Sequence, residues 1–167
     1  GCYFTYTLND YGREGLEPGV PPLAERVETF RRLSERLGPE RVVWRYDPIL
    51  VGGGLTPEVV LERIAGVGAA LHRHTRRLVI SFADVACYPA VRARLGGVGQ
   101  AELAEPGPAA AERIAAGIRD LNAGWGLEVV ACAEVADLSR FGIGRSRCVD
   151  GGVMARAFPG DAALAGF

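Results

Sequence analysis

"RVVWRYDPIL", residues 41–50, is the stretch whose reading decides the fold. It opens like a buried strand, with Val42, Val43 and Trp44 in succession, residue types that suit a pleated surface. With the chain still extended, Arg45 and Asp47 follow two residues apart, about 6.6 Å along the strand. Side chains alternate across a strand, so Val43, Arg45 and Asp47 share one face while Trp44 and Tyr46 take the other. Pro48 holds Asp47 extended at the strand tip. A strand with one apolar face, and one face that turns charged toward its carboxyl end, needs an explanation.

The same division recurs along the chain. Strand patterns are predicted at 3–8, 41–50, 77–82 and 127–134, about 35–50 residues apart. In the first, Phe4, Tyr6 and Leu8 oppose Thr5, Thr7 and Asn9. In the third, Ile80 and Phe82 oppose Val79, Ser81 and Ala83. In the fourth, Val129, Ala131 and Ala133 oppose Val130, Cys132 and Glu134. Each strand thus has a greasy side and a side that becomes polar toward its end.

Helical patterns fill the gaps. Leu23, Val27, Phe30, Leu33 and Leu37 recur at helical spacing from Pro22 to Leu37, and Gly38-Pro39 stops that helix. Thr56-Pro57-Glu58 reads as cap, first-turn proline and first-turn acid of a helix running to about Leu71. A shorter helix is predicted after Asp84 or from Pro89, and another from about Pro108 to Asn122. Strands alternating with helices predict a parallel sheet with right-handed crossovers. A doubly wound sheet covered on both faces should read apolar on both. A barrel interior with its site at the carboxyl mouth should read as this chain does. The fold class expected is therefore α/β, with parallel βα repeats forming a partial, half TIM-barrel-like sheet. A small open α/β sheet is the alternative, and it puts the chemistry at the same strand ends.

Composition narrows the function. The chain has 167 residues, 49% hydrophobic and 23% charged, with a net charge of -1, so it carries no electrostatic footprint for nucleic acid or an anionic membrane. All 19 basic residues are Arg, which excludes a Schiff-base lysine within the chain. No apolar run reaches about eighteen residues and no basic-then-apolar leader is visible, so a cytoplasmic location is expected. Cys2, Cys87, Cys132 and Cys148 include no C-x-x-C pair, so neither a zinc knuckle nor a disulfide framework is indicated. The first residue is Gly1 and a strand pattern follows at once, which suggests a single partial domain cut from something longer.

The candidate site collects on the polar face. Arg45 could anchor a carboxylate or phosphate, with Asp47 as acceptor or base; an internal ion-pair brace is the bland alternative. Cys132 and Glu134 share a strand end, where a thiol could bind metal or attack an electrophile, although an adjacent carboxylate works against an activated thiolate. Cys148 and Asp150, in "RCVDGG", repeat the spacing and suggest a fifth short strand, after a loop "FGIGRSRC" that could approach a ligand by its backbone. Thr7, Asn9 and Ser81 complete the polar lining. His72 and His74 sit at a helix end, where surface placement is expected.

The stretch from "YTLNDYGREGLEPGV" through "WRYDPIL", then "VISFAD", "CAE" and "GIGRSRCVD", occurs in an order that resembles the bacterial family called domain of unknown function 1848. The resemblance covers nearly the whole chain. It implies a barrel related to radical S-adenosylmethionine enzymes, of which this chain would be the central portion. It also implies an earlier segment supplying the first strands, and a cysteine-rich C-terminal segment holding an iron–sulfur cluster. The matching positions are Arg45, Asp47, Ser81, Cys132, Glu134, Cys148 and Asp150. The resemblance implies a class of enzyme, with a 4Fe-4S cluster and S-adenosylmethionine outside this chain, and no substrate. The reading of the residues adds a small-molecule, anionic ligand, with Asp47, Glu134 and Cys132 in catalytic roles. Two other readings stand beside it: a metal-independent lyase or hydrolase using Asp47 and Glu134, and a non-enzymatic ligand-binding domain.

Overall fold

The computed structural model describes residues 2–83, 103–132, 137–147 and 150–161. Among these described residues five strands form one sheet: β1 (Phe4–Thr7), β2 (Val42–Ile49), β3 (Arg77–Phe82), β4 (Glu128–Cys132) and β5 (Gly144–Ser146). They lie in the order of the chain, and every neighbouring pair is parallel. This order never reverses. Crossovers of one hand between strands added on one side keep their helices on one face of the sheet. That is the arrangement of a partial βα barrel, as the alternating faces predicted.

Among the described residues three long helices are seen: α1 (Leu23–Leu37), α2 (Pro57–Leu71) and α3 (Pro108–Asn122). Gly38 ends α1 at φ 89°, a backbone setting that favours glycine. Thr56 caps α2 by accepting from the Val59 N–H at 3.4 Å. Its first-turn proline loses nothing, because that N–H has no partner inside a helix. The helix expected after Asp84 or Pro89 falls at positions outside the described residues.

One apolar layer joins the helices to the sheet. Trp44, Tyr46, Leu78 and Ile80 from the strands meet Phe30, Ile64 and Ile114 from the helices, all fully buried. Each such side chain contributes about 1.5–3 kcal/mol on burial. The packing is close where α2 passes the turn after α3: a Cβ at Gly68 would stand 2.3 Å from the Trp125 ring. The opposite face carries a second, smaller cluster of Val43, Val79, Val130, Cys132 and Val153, with Tyr3 against it. Val153 belongs to a last short helix, α4 (Gly151–Ala157).

The fifth strand differs from expectation. It is Gly144–Ser146, inside the stretch read as a loop, and Asp150 is not a strand residue. Asp150 caps α4, accepting at 2.9 Å from Gly152 N–H and at 3.2 Å from Val153 N–H. The i, i+2 spacing of Cys148 and Asp150 suggested a strand. Two glycines after an aspartate suit a helix start equally well, and a three-residue strand containing glycine gives little pattern to read.

Candidate functional site

The face turned away from the three long helices carries the candidate site. The register sets Thr7, Arg45, Val79, Val130 and Gly144 level with one another across the five strands. One step toward the carboxyl ends, Cys132 pairs with Ser146. One step toward the amino ends, Thr5 pairs with Val43, and Arg77 with Glu128. Val43, Val79 and Val130 therefore share this face with two charged groups set one step apart.

The first charged group is the pair anticipated from the sequence. The Arg45 guanidinium donates to Asp47, and each side chain is about a quarter exposed, 24% and 23%. The Nε of Arg45 is buried and has no partner among the described residues. Asp47 is fixed by its backbone. Its N–H donates to Asn9 Oδ1 at 2.9 Å, and its carbonyl accepts from Asn9 Nδ2 at 2.8 Å. The Tyr11 hydroxyl donates to the Pro48 carbonyl at 2.9 Å and accepts from Leu50 N–H at 3.3 Å. Burial pushes the Tyr11 phenol up to about 12, against the opposing pull of its Leu50 hydrogen bond. The strand tip is thus clamped from the β1–α1 loop, and Asp47 presents its carboxylate from a fixed backbone.

The second group was not anticipated. Arg77 is 5% exposed and opens β3 on the same face. It donates to Glu128 at 3.2 Å, to Ser146 Oγ at 3.2 Å and to Asp150 Oδ2. Arg156 of α4 reaches the same Glu128 at 2.6 Å. Burial pushes the Asp150 carboxyl upward, but the Arg77 guanidinium and the Val153 and Gly152 amides outweigh it and hold the group below its ordinary value. Period-two parity was the available signal: Arg77 has the parity of Val79 and Ser81 in "RLVISF".

Between the two groups lies a small cavity of about 20 Å³, room for one water-sized group. Arg45, Arg77, Cys132, Ser146, Arg147 and Asp150 are among the residues that line it. Cys132 is buried and takes part in no disulfide. Arg147 is exposed and forms no ion pair with any described residue. Its position just past a short strand left no trace in the sequence pattern.

The other expected residues separate. Asn9 has both ends of its amide engaged by the Asp47 backbone. Thr7 borders a different cleft of about 320 Å³, against the start of α1 and Arg26. Ser81 Oγ bonds the adjacent Phe82 carbonyl at 3.4 Å. Glu134 and Cys148, like Asp84 and Cys87, lie outside the described residues. Cys2, exposed before β1, and Cys132, at the far end of β4, stand at opposite ends of the sheet. Among the described residues no three His, Cys, Asp or Glu side chains gather as a potential metal site. No described helix is long and apolar enough to cross a membrane.

Comparison with known proteins agrees with the resemblance in the sequence. The family model described as Domain of unknown function (DUF1848) matches residues 1–165, and the chain belongs to that family. No curated protein and no solved structure matches it.

Proposed function

Starting from that membership, we propose that the chain is part of an enzyme whose inner sheet face binds an anionic small molecule. One observation supports this above the others. Three arginines, Arg45, Arg77 and Arg147, line one small cavity beside the Cys132 thiol, and Asp150 is the one acid among its described lining residues. A cluster of guanidinium groups around a cleft is suited to carboxylate or phosphate oxygens.

In this reading Arg45 donates to the ligand's anionic group. Asp47, on its clamped backbone, accepts a hydrogen bond or proton, and Cys132 borders the ligand. Glu134 completes the acid–base set. Barrel enzymes keep their chemistry at the carboxyl ends of the strands, where Asp47 and Cys132 lie. The radical S-adenosylmethionine assignment rests on the family resemblance alone, and no step is routed here through a cluster. A cytoplasmic location and a partial barrel completed by further strands belong to the same proposal.

The test is equilibrium titration of the protein with inorganic phosphate and with succinate, alongside Arg45→Ala and Asp47→Ala. Saturable binding that Arg45→Ala weakens supports the reading. If both variants change stability while every affinity stays the same, the face is a scaffold and the proposal fails. For the radical reading, anaerobic purification of the full gene product with iron and sulfide analysis decides between cluster and none.

A further inference from the structure

Resting on that reading, we propose that the ligand's anionic group is held chiefly by Arg147, with the buried Nε–H of Arg45 as second donor. The three arginines around the cavity are not equivalent. Arg77 spends its donors on Glu128, Ser146 and Asp150. Arg45 directs its outer nitrogen to Asp47. A new anion at either would compete with a carboxylate already in place. Removing that carboxylate would leave a partly buried charge without its partner, which is costly.

Arg147 escapes this competition. It lines the same cavity, it is exposed, and no described acid engages it. Its five donors are therefore open to a planar or tetrahedral anion. The Nε–H of Arg45 offers a further donor that the Asp47 contact leaves unused. Buried donors ordinarily have a partner. A ligand oxygen entering from the Arg147 side would supply one without disturbing the Arg45–Asp47 pair. The cavity floor has room for one water-sized group, so a single carboxylate or phosphoryl oxygen enters it and the rest of the ligand stays outside.

The experiment is titration of the folded protein with inorganic phosphate and, separately, acetate, followed by calorimetry or amide chemical shifts. Arg147→Ala is compared with Arg145→Ala. Arg145 is the β5 residue between Gly144 and Ser146, whose alternate parity sets it on the opposite face. Loss of one charged hydrogen-bond donor is expected to weaken binding by about 10- to 100-fold in Arg147→Ala, with the thermal midpoint unchanged, and to leave Arg145→Ala at wild-type affinity. Tighter binding of acetate or of phosphate identifies which oxyanion the site prefers. Binding that survives Arg147→Ala but is lost in Arg45→Ala overturns the assignment while leaving the anion site intact. Equal weakening in Arg145→Ala and Arg147→Ala reduces the effect to general surface charge and also overturns it. If the wild-type protein binds neither probe, the broader proposal falls with it.

Discussion

Two arginines stand on one face of one sheet and do different work. Arg77, at the start of β3, is almost wholly buried and meets Glu128, Ser146 and Asp150. Through Asp150, the cap of α4, it ties the last helix to the sheet. Arg45, on β2 and level with Val79 and Val130, is a quarter exposed and has one acid for a partner. A buried guanidinium with several partners is a brace, because withdrawing it strands those partners in a poorly solvated place. A half-open guanidinium with an unused donor can still accept a ligand. The difference comes from surroundings, since both residues lie on the same face of neighbouring strands.

This contrast can be broken by mutation. The largest effect is expected for Arg77→Ala, which strands Asp150 and Ser146 under α4; a loss of about 3 kcal/mol in chemical denaturation is the expected scale. A loss below that of Arg45→Ala would remove the distinction between brace and site. Next, Gly68→Ala forces a methyl onto the Trp125 ring on the helical face and should cost about 1–3 kcal/mol. It gives a packing standard for the charge variants. Third, the Arg45–Asp47 pair should couple by only about 0.5–1 kcal/mol in a double-mutant cycle, since both partners are partly solvated.

The fourth prediction uses acid. The Asp150 carboxyl titrates lower in the folded protein than in the unfolded chain. Its contribution is therefore present above the ordinary carboxylate value, about 3.9, and is lost as pH falls through the lower folded value. Asp150→Asn keeps a good helix cap but removes the charge, so its stability should fall less steeply over that acid range. Parallel acid curves for the two proteins would refute the Arg77–Asp150 link. The smallest effect on stability belongs to Arg147→Ala, within about 0.5 kcal/mol for an exposed residue free of ion pairs with the described residues.

Much of the fold was legible because it depends on local spacing. The stops at Gly38-Pro39, the Thr56-Pro57 start and the helix at Pro108–Asn122 are all observed. The alternation of side chains between two faces is observed too, but the face expected to be polar carries a second apolar cluster beside its charges. Of the candidate site, the Arg45–Asp47 pair was legible because two residues on one strand face must meet. Asn9 was read as lining and proves to be a backbone clamp, since the sequence cannot show which of several acceptors an amide will find. Arg77 is hard to single out although its parity marks it, because a charge at a strand start ordinarily reads as solvated.

The sequence by itself determined the periodicities: which segments extend, which coil, and which side chains share a face. These follow from bond geometry that repeats every two or 3.6 residues. Only the tertiary structure decided which arginine is spent and which is free. That depends on acids 51 and 73 residues away from Arg77, and contacts across such distances are set by how strands and helices pack, not by any local rule.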